Sequence, residues 1–433
     1  MIKNINFKDL KEKISKLIKN GFFTVVLSSI ISNVIIFLGG TILVRILSQD
    51  DYGSYSYIMN TINMLFILGD FGACNAILQY ASEEYNNEER RNAFITFGIK
   101  QGIFFSLIAS VLIILSPYFY AYKIENTMAL TRILFMLPVM MTLKTFITAV
   151  LRARLENKAF AIFNILATLI HYILIVPFAF FGGLKGSIYS NYVIYGAVLF
   201  IGFYMIRRMY KITDADKHLS KKEKKEFRKL ALSFQVNASI SNLLVYIDIF
   251  LIGYIVTSAS QISVFKVAST LPQAMLFIPT SVIIFVLPYF CRNNTDIKWV
   301  NDKFNSLIKY SAVLYGIVIG GCYIIAPFLI TFLFGKEYAE SVQVFRILLI
   351  GFFFSATFKI NCNNILTTLR KVNINIVISI ISGVFNIIFD IIFITKYGIV
   401  GAAITTSTIM IINSILAFTY VKVYLKKRLL EEK

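Results

Sequence analysis

Two apolar stretches, one in each half of the chain, contain an arginine followed by a lysine. They are Arg132 with Lys144 and Arg346 with Lys359, and the second interval is longer by a single position. A charged side chain at the centre of a membrane helix costs about 2.5–3.5 kcal/mol, so such residues face a protein interior or a watery cavity. Because arginine offers a planar fork of donors and lysine a movable point charge, the two pairs predict a site for an anionic group such as phosphate.

The composition indicates that these cations lie in a membrane protein. Of the 433 residues, 57% are hydrophobic and only 15% are charged, and the mean hydropathy is +0.72. Soluble domains have about 25% charged residues, so we expect a polytopic membrane protein. The net charge of +20 lies mostly in the connections between apolar runs, so no nucleic-acid partner is expected. The four cysteines have no paired spacing, and neither a metal site nor a cofactor is indicated.

Twelve apolar runs are long enough to cross roughly 30 Å of hydrocarbon as helices of about 20 residues. They lie at 22–44, 54–80, 93–116, 128–150, 159–181, 186–206, 231–256, 262–290, 305–333, 341–368, 373–395 and 398–421. With a cytoplasmic N-terminus, the inner segments hold 31 Lys and Arg residues and the outer loops hold 5. The positive-inside rule therefore predicts that both termini are cytoplasmic.

The long connection near the middle of the chain defines the predicted domains. They are an amphipathic cytoplasmic N-terminal helix at 1–20, an N-lobe of six spans at 21–207, a basic cytoplasmic linker at 208–229, a C-lobe of six spans at 230–424 and a cytoplasmic tail at 425–433. The N-terminal helix carries lysines opposite an apolar face, so we expect it to lie on anionic inner-leaflet lipid. The linker is expected to be a solvated, lipid-facing connector, with docking of a partner as the alternative.

The two halves of the chain also match outside the Arg and Lys pairs. The segment 45–58 corresponds to 255–268 at an offset of 210, and 182–190 corresponds to 397–405 at about 215. Such repeats place a substrate site at the interface between the halves, near the membrane midplane. The expected fold class is therefore an all-α polytopic membrane protein with twelve transmembrane helices in two six-helix repeats, which is the architecture of an alternating-access transporter.

Four motifs resemble a known family when they are taken in order. They are LVRILSQDDYGSY at 43–55, GDFGACNAILQYAS at 69–82, YIDIFLIGYIVTSASQISVFKVA at 246–268 and PFLITFLFGKEYAESVQVFRIL at 327–348. Together they resemble the polysaccharide transporter family, the O-antigen and capsule repeat-unit lipid flippases of the multidrug/oligosaccharidyl-lipid/polysaccharide exporter superfamily. The resemblance implies a V-shaped, two-lobed bundle in the bacterial cytoplasmic membrane. It also implies a function, the transfer of an undecaprenyl-diphosphate-linked oligosaccharide from the inner to the outer leaflet.

The cations fit such a substrate on physical grounds as well. Lys144 and Lys359 lie deepest in their spans, and we expect them to contact the diphosphate in a cavity; snorkelling or pairing with a carboxylate is the alternative. Arg132 and Arg346 lie about four to five residues inside the outer ends of their spans, so snorkelling to the outer surface explains them equally well. A regular helix puts Arg132 and Lys144 about 120° apart unless Pro138 shifts the phase.

Three carboxylates lie within the spans and are candidates for coupling transport to H⁺ or Na⁺. Asp70 lies between Gly69 and Gly72, where a helix loosens easily, and is the better candidate. Asp248 is also a candidate, but we prefer a structural role in which it neutralises Lys266. The third is Asp390. For His171, which is in the middle of the fifth span, a hydrogen-bonded buried role is preferred to a proton relay.

Two other classes of function are less consistent with the sequence. A small-cation or drug antiporter of the same superfamily needs carboxylates in its cavity, but the first span has none and embedded cations outnumber embedded carboxylates. A membrane polymerase or ligase needs outer loops large enough for catalytic residues, and every outer loop here is short. We therefore predict a transporter rather than an enzyme, and no catalytic residue is proposed.

Overall fold

The computed structural model describes residues 22–84, 86–119, 123–207, 219–293, 295–369 and 371–431, and all regular structure within these ranges is helical. The predicted N-terminal helix at 1–20 lies outside the described residues. In chain order the helices are α1 (Phe22–Ile46), α2 (Gln49–Phe66), α3 (Ala73–Glu83), α4 (Glu88–Phe119), α5 (Thr127–Ile133), α6 (Leu137–Ala153), α7 (Asn157–Ile206), α8 (Lys221–Ile255), α9 (Ala259–Met275), α10 (Phe277–Arg292), α11 (Ile297–Ile324), α12 (Ala326–Phe334), a 3₁₀ helix (Lys336–Tyr338), α13 (Ser341–Phe354), a π-helical turn (Ser355–Lys359), α14 (Ile360–Thr368) and α15 (Val372–Glu431).

The apolar helices account for the predicted membrane class. Seven helical segments of the described chain are long and apolar enough to cross a membrane, and α5 and α6, bent by 47°, meet the same criterion when they are taken together as one broken span. Helices α7 and α15 have 50 and 60 residues, and each contains two predicted spans in succession. The prediction of an all-α polytopic membrane protein is confirmed.

The two long helices turn at equivalent glycines, which shows the internal repeat directly. Gly183 in α7 has φ 54° and ψ −138°, and Gly398 in α15 has φ 57° and ψ −137°. Left-handed φ values are easily adopted only by glycine, which has no Cβ. Shortly after each turn, a Cβ at Gly186 or Gly401 would lie 2.0 Å from a backbone carbonyl oxygen of the helical segment that precedes the turn, that of Phe178 or Phe393. Both glycine pairs have the offset predicted for this part of the repeat.

Several predicted single spans are formed by two helices with a break between them. Helices α2 and α3 are separated at 67–72, where Phe71 and Gly72 have φ values of 49° and 72°. Helices α9 and α10 are separated at Leu276, with Pro272 before it and Pro279 after it. Proline removes a backbone hydrogen bond and its ring clashes with the preceding turn, so a break between the two prolines follows from the sequence.

Contacts among the described residues divide the chain into two compact units. Unit 1 comprises Met1–Ile46, Ile62–Tyr120 and Met128–Ser239, and unit 2 comprises Leu47–Thr61, Ala121–Thr127 and Ile240–Lys433, as far as these ranges are described. In unit 1, α7 packs against α1 and α6, and α4 packs against α3 and α6. In unit 2, α15 packs against α13 and α14, and α9 packs against α13. The fourth predicted span of each repeat therefore packs against the long turned helix that follows it.

A close backbone approach explains why the start of α2 belongs to unit 2. A Cβ at Gly53 would lie 1.8 Å from the carbonyl oxygen of Ala259, the first residue of α9. The Asn60 side chain also donates a 2.8 Å hydrogen bond to the carbonyl oxygen of Tyr246 on α8. Only a residue without a Cβ permits the first of these contacts, so this glycine is required by packing.

The described part of the basic linker differs from the expected solvated connector. Helix α8 begins within it through a capping box, in which the Ser220 hydroxyl accepts from the backbone N–H of Glu223 and the Glu223 carboxylate accepts from that of Ser220. Phe227 is fully buried in unit 1, where its ring contacts Tyr80 and Phe94 at centroid distances of 5.6 and 6.3 Å. One face of the linker helix is thus packed on unit 1, whereas its lysines are largely exposed.

An ion-pair network holds the same linker helix in place. Arg90, in the first turn of α4, donates to Glu84 at 2.9 Å and also to Glu223 on α8. The hydrogen bonds from Ser220, together with those from Arg90, lower the pKa of Glu223 to about 2. The hydrogen bonds from Arg90 to the two glutamates raise the pKa of Arg90. This network joins α4, the end of α3 and the linker at one end of unit 1.

Candidate functional site

The embedded lysine of unit 1 faces aromatic side chains. Lys144 lies in the middle of α6 and is half-buried, and its Nζ atom is 5.9 Å from the ring centroid of Tyr195. Cation–π attraction operates within about 6 Å of the ring centroid. Tyr195 belongs to the part of α7 that follows Gly183, so the turn at that glycine is what brings the ring to the lysine. No carboxylate pairs with Lys144 among the described residues.

His171 and Tyr172 complete the surroundings of Lys144. His171 lies within electrostatic interaction range of Lys144, and its ring meets that of Tyr172 edge to face at a centroid distance of 4.9 Å. Tyr172 in turn packs on α1, where a Cβ at Gly39 would lie 2.2 Å from the tyrosine ring. The arrangement is a cation with neutral polar and aromatic neighbours. Such surroundings leave the ammonium group available to an anionic ligand.

Arg132 is separated from Lys144 by a break in the predicted span. Arg132 lies in the last turn of α5, and α6 starts after a turn at 134–136 with Pro138 as its second residue. The bend of 47° means that the angle expected for one regular helix does not apply. The Nε atom of Arg132 is buried and has no hydrogen-bond partner among the described residues.

The embedded lysine of unit 2 ends a π-helical turn, which sequence analysis missed. Lys359 is half-buried and is the last residue of the turn Ser355–Lys359. A π turn closes i→i+5 hydrogen bonds and so holds about one more residue than an α turn. The second repeat also has one more residue between its Arg and its Lys than the first. The π turn therefore accommodates the extra residue, and the unequal spacing was the signal that could have found it.

Arg346 lies at the opposite end of the same predicted span, in an open groove of unit 2. Its Nε donates to the carbonyl oxygen of Tyr323 at 3.2 Å, and its guanidinium lies 5.2 Å from the centroid of the Tyr323 ring. The groove has a volume of about 810 Å³ and is also lined by Gln261, Glu340 and Tyr397. Planar polar and aromatic groups of this kind can contact sugar rings and their hydroxyl groups.

A pair of buried carboxyl groups occupies unit 2. Asp248 on α8 lies within hydrogen-bonding reach of Asp390 and Asn386 on α15, and its Oδ2 accepts a 2.6 Å hydrogen bond from the Thr406 hydroxyl. The Oδ1 atoms of Asp248 and Asn386 and both carboxyl oxygens of Asp390 are buried and accept no hydrogen bond of good geometry among the described residues, although the Thr405 side chain lies near enough to Asp390 to interact with it. Four oxygens that lack a donor form a site for a shared proton or a small hard cation, because both are satisfied by oxygen ligands.

The preferred structural role of Asp248 is therefore wrong. Among the described residues Asp248 forms no ion pair with Lys266, and its partners lie on α15 instead. The four-residue spacing of Asn386 and Asp390 puts both on one face of a helix, and this is the signal that sequence reasoning did not use. The pairing of that face with Asp248 depends on where the fold places Asp248 beside α15, which spacing alone does not reveal.

Asp70 is used by the local backbone. One of its carboxyl oxygens accepts from the backbone N–H of Gly72 and the other from that of Cys74, each at 3.1 Å. These bonds satisfy N–H groups at the start of α3, as a capping side chain does. The predicted helix loosening around Asp70 does occur, because the chain between α2 and α3 is not helical. A coupling role for Asp70 stays a prediction.

Together these features define the class of protein. Its long apolar helices form two repeated sets, each with an embedded lysine, and its second unit holds a buried carboxyl pair within the membrane-spanning region. Multi-span membrane transporters combine these features.

The chain belongs to the family described as Polysaccharide biosynthesis protein, whose family model matches residues 42–343, well over half of the chain. An uncharacterized membrane protein of Methanocaldococcus jannaschii is 24% identical in an alignment of 383 residues that covers 82% of this chain and 74% of that protein. The resemblance noted from the sequence motifs is thereby confirmed at the level of the family.

Two solved structures show the same fold. An inward-facing multidrug resistance MATE family transporter of the MOP superfamily has 16% identity and a TM-score of 0.74, with 91% of this chain and 95% of that chain covered. The lipid II flippase MurJ in an inward closed conformation has 19% identity and a TM-score of 0.75, with 92% of this chain and 87% of that chain covered. The chain therefore has the same fold as these two proteins.

Proposed function

We propose that this protein flips an undecaprenyl-diphosphate-linked oligosaccharide repeat unit from the inner to the outer leaflet of the bacterial cytoplasmic membrane, for surface polysaccharide biosynthesis. Transport proceeds by alternating access. The observation that carries the proposal is the embedded lysine in each unit, Lys144 and Lys359, with no carboxylate partner among the described residues. Both termini are proposed to be cytoplasmic, on the basis of the Lys and Arg distribution.

The chemistry of the substrate supports these roles. A lipid diphosphate loses hydration and counterions when it leaves the membrane surface, and a desolvated anion needs a cation to replace them. We assign that role to Lys144 and Lys359. Arg346, in its groove with Gln261 and Tyr397, is assigned to the diphosphate or the adjoining sugar at the outer end of unit 2. Arg132, whose buried Nε has no acceptor among the described residues, is the corresponding group in unit 1.

Ion coupling is assigned to the carboxyl pair. Asp248 and Asp390, with Asn386 and Thr406, would bind one H⁺ or Na⁺ among four buried oxygens that lack a donor in the described part of the chain. Asp70 is the second candidate, since it is the other embedded carboxylate that sequence analysis selected. The MurJ relative is a lipid II flippase, which supports a lipid-linked substrate for this fold.

A small-cation or drug antiporter is the alternative function. The buried carboxyl pair and the likeness to a multidrug resistance transporter favour it. The two functions predict opposite results when the embedded lysines are removed. Transport of cations by an antiporter would increase, whereas transport of an anionic lipid by a flippase would decrease.

The experiment is complementation of a strain that lacks its own repeat-unit flippase. Lys144→Ala and Lys359→Ala are each expected to reduce surface polysaccharide at least about tenfold, and the double variant to abolish export while lipid-linked repeat units accumulate. Lys309→Ala is the matched control, because Lys309 is also in a membrane helix but is exposed. Full export by the double variant at normal protein levels would refute the assignment. Increased resistance to cationic drugs in the same variant would instead favour the antiporter.

A further inference from the structure

A basic groove on unit 1 is separate from the embedded lysine and from the carboxyl pair. It lies between α4 and the first turns of α8 and has a volume of about 1020 Å³. Its lining consists of five basic residues, among them Lys225, Arg228 and Lys229 on α8, one acidic residue, Glu226, and several apolar or amide side chains. The excess of positive charge predicts an anionic occupant.

The two helices present this lining by regular spacing. On α8, residues 222, 225, 229 and 232 are three or four positions apart, so they occupy one face of the helix. The buried Phe227 lies on the other side of α8 and packs against Phe94 and Phe97 of α4, so α8 is held beside α4 and its basic residues line the groove along this contact. The Arg228 guanidinium lies 5.5 Å from the centroid of the Phe97 ring, so it is held at the groove wall.

The groove changes from basic to apolar along both helices. On α4, Lys100 and Gln101 are followed one turn later by Phe104 and Phe105, and on α8 the basic residues are followed by Leu232. Phe104 and Leu232 are 61% and 46% exposed, although both are large and apolar. A soluble anion would use only the basic end. An anion with an attached hydrocarbon chain would use both ends.

We propose that this groove binds an anionic glycerophospholipid, with its phosphate at the basic residues and an acyl chain against Phe104 and Leu232. The lipid comes from the leaflet that the Lys- and Arg-rich connections face. Negative lipids in that leaflet strengthen the binding of basic segments by a factor of about five for each Lys or Arg near the membrane surface. The bound lipid contacts residues of both α8 and α4, and it therefore holds the linker helix on unit 1.

The position of the groove favours a bulk phospholipid over the transported lipid diphosphate. The groove belongs to unit 1 alone and lies where α8 begins, whereas repeat-built transporters place their substrate near the membrane midplane. The single carboxylate, Glu226, would repel a doubly charged diphosphate more strongly than a singly charged phosphodiester. These features also separate this inference from the proposed function, which it does not require.

The test is binding of phosphatidylglycerol to the purified full-length protein in neutral detergent, measured by native mass spectrometry. Phosphatidylcholine and inorganic pyrophosphate are the comparison ligands, and undecaprenyl diphosphate is the competitor. We expect phosphatidylglycerol to bind at least about tenfold more tightly than phosphatidylcholine, and pyrophosphate not to displace it. The triple variant Lys225→Gln, Arg228→Gln, Lys229→Gln should bind it roughly a hundredfold more weakly, since each basic residue contributes a factor of about five.

Two further variants keep the outcome decisive. The triple change Lys298→Gln, Lys426→Gln, Lys427→Gln removes the same charge from exposed positions outside the groove and should leave binding unchanged. Glu226→Gln removes the one carboxylate of the groove and should tighten phosphatidylglycerol binding several-fold, even if the basic triple variant does not fold. Equal binding by the basic and control triple variants, or no effect of Glu226→Gln, overturns the proposal. Displacement of phosphatidylglycerol by equimolar undecaprenyl diphosphate also overturns it, and would assign the groove to the substrate.

Discussion

Replacement of Asp390 by Asn tests the carboxyl pair most directly. Asp390 is completely buried and Asp248 is 7% exposed, so neither is satisfied by bulk water. The change keeps the shape of the side chain but removes one charge, and it gives the Asp248 carboxylate a permanent amide donor. The pair would then be satisfied without a shared proton or a bound Na⁺.

The size of the effect follows from the number of oxygens that lack a donor. Each unsatisfied buried acceptor costs about 1–3 kcal/mol, so the four oxygens favour an added proton or cation by about 4 kcal/mol or more. The Asn side chain converts one acceptor into a donor and pairs a second, which withdraws about 2 kcal/mol of that preference. We therefore expect ion binding to weaken at least about thirtyfold.

Ion binding to the folded protein is measurable as stabilisation, because a ligand that binds only the native state raises its stability with concentration. Thermal unfolding of the purified protein over a series of Na⁺ concentrations and pH values measures how stability depends on each ion. Transport assays in proteoliposomes over the same series measure how transport depends on them. In Asp390→Asn, stability and transport should vary much less with Na⁺ concentration and pH than in the wild type. Asp70→Asn should keep the wild-type variation, since Asp70 serves as a backbone cap. If Asp390→Asn keeps its full dependence and Asp70→Asn loses it, the coupling site has been assigned to the wrong carboxylate.

Three further predictions concern the linker and the packing of the units. Phe227→Ala removes a fully buried ring and should lower the free energy of unfolding of unit 1 by about 3–5 kcal/mol, as measured by thermal unfolding. Glu223 has a folded-state pKa of about 2 against an ordinary value of 4.5, chiefly through its hydrogen bonds with Ser220. Its stabilisation is thus fully present above about pH 4.5 and is lost as the pH falls toward 2, which hydrogen exchange at 219–229, corrected for intrinsic rates, would detect. Gly53→Ala should destabilise unit 2 by about 3 kcal/mol or more, because its Cβ meets a backbone carbonyl oxygen, whereas Gly320→Ala, with open space around it, should be neutral or slightly stabilising.

Each of these three expectations has a specific contradictory result. A Phe227→Ala protein that unfolds at the wild-type temperature would show that the linker helix does not depend on this ring. Identical pH dependence of exchange in wild type and Glu223→Gln would remove the carboxylate from the linker contact. Equal stability of Gly53→Ala and Gly320→Ala would mean that α2 and α9 do not approach as closely as described.

The composition and the positions of the apolar runs were enough to predict the membrane class and the repeat. Apolar length is set by the thickness of the hydrocarbon layer and needs no tertiary information. The match between the GGLKG and YGIVG segments was also visible in the sequence, and it corresponds to turns at Gly183 and Gly398 with nearly identical backbone angles. The unequal Arg to Lys spacing was visible as well, although its cause, the π turn before Lys359, was not.

The candidate site was predictable only in part, because its side chains come from helices far apart in the chain. The embedded lysines and aspartates could be selected, since charges in apolar runs are rare and costly. Their partners could not. Lys144 meets Tyr195 only after α7 turns at Gly183, and Asp248 meets Asp390 rather than Lys266 because the fold places the Asp248 side chain beside α15.

By itself, the sequence determined which residues are embedded in the membrane and that each half carries an unexpected Arg and Lys, because both follow from the local cost of placing charge in hydrocarbon. Only the tertiary structure decided which side chains lie next to the embedded charged groups. Partners on different helices, as Tyr195 is to Lys144 and Asp390 is to Asp248, are brought close only by helix packing. Helix packing depends on the shapes of whole helix faces, and no single spacing in the chain encodes it.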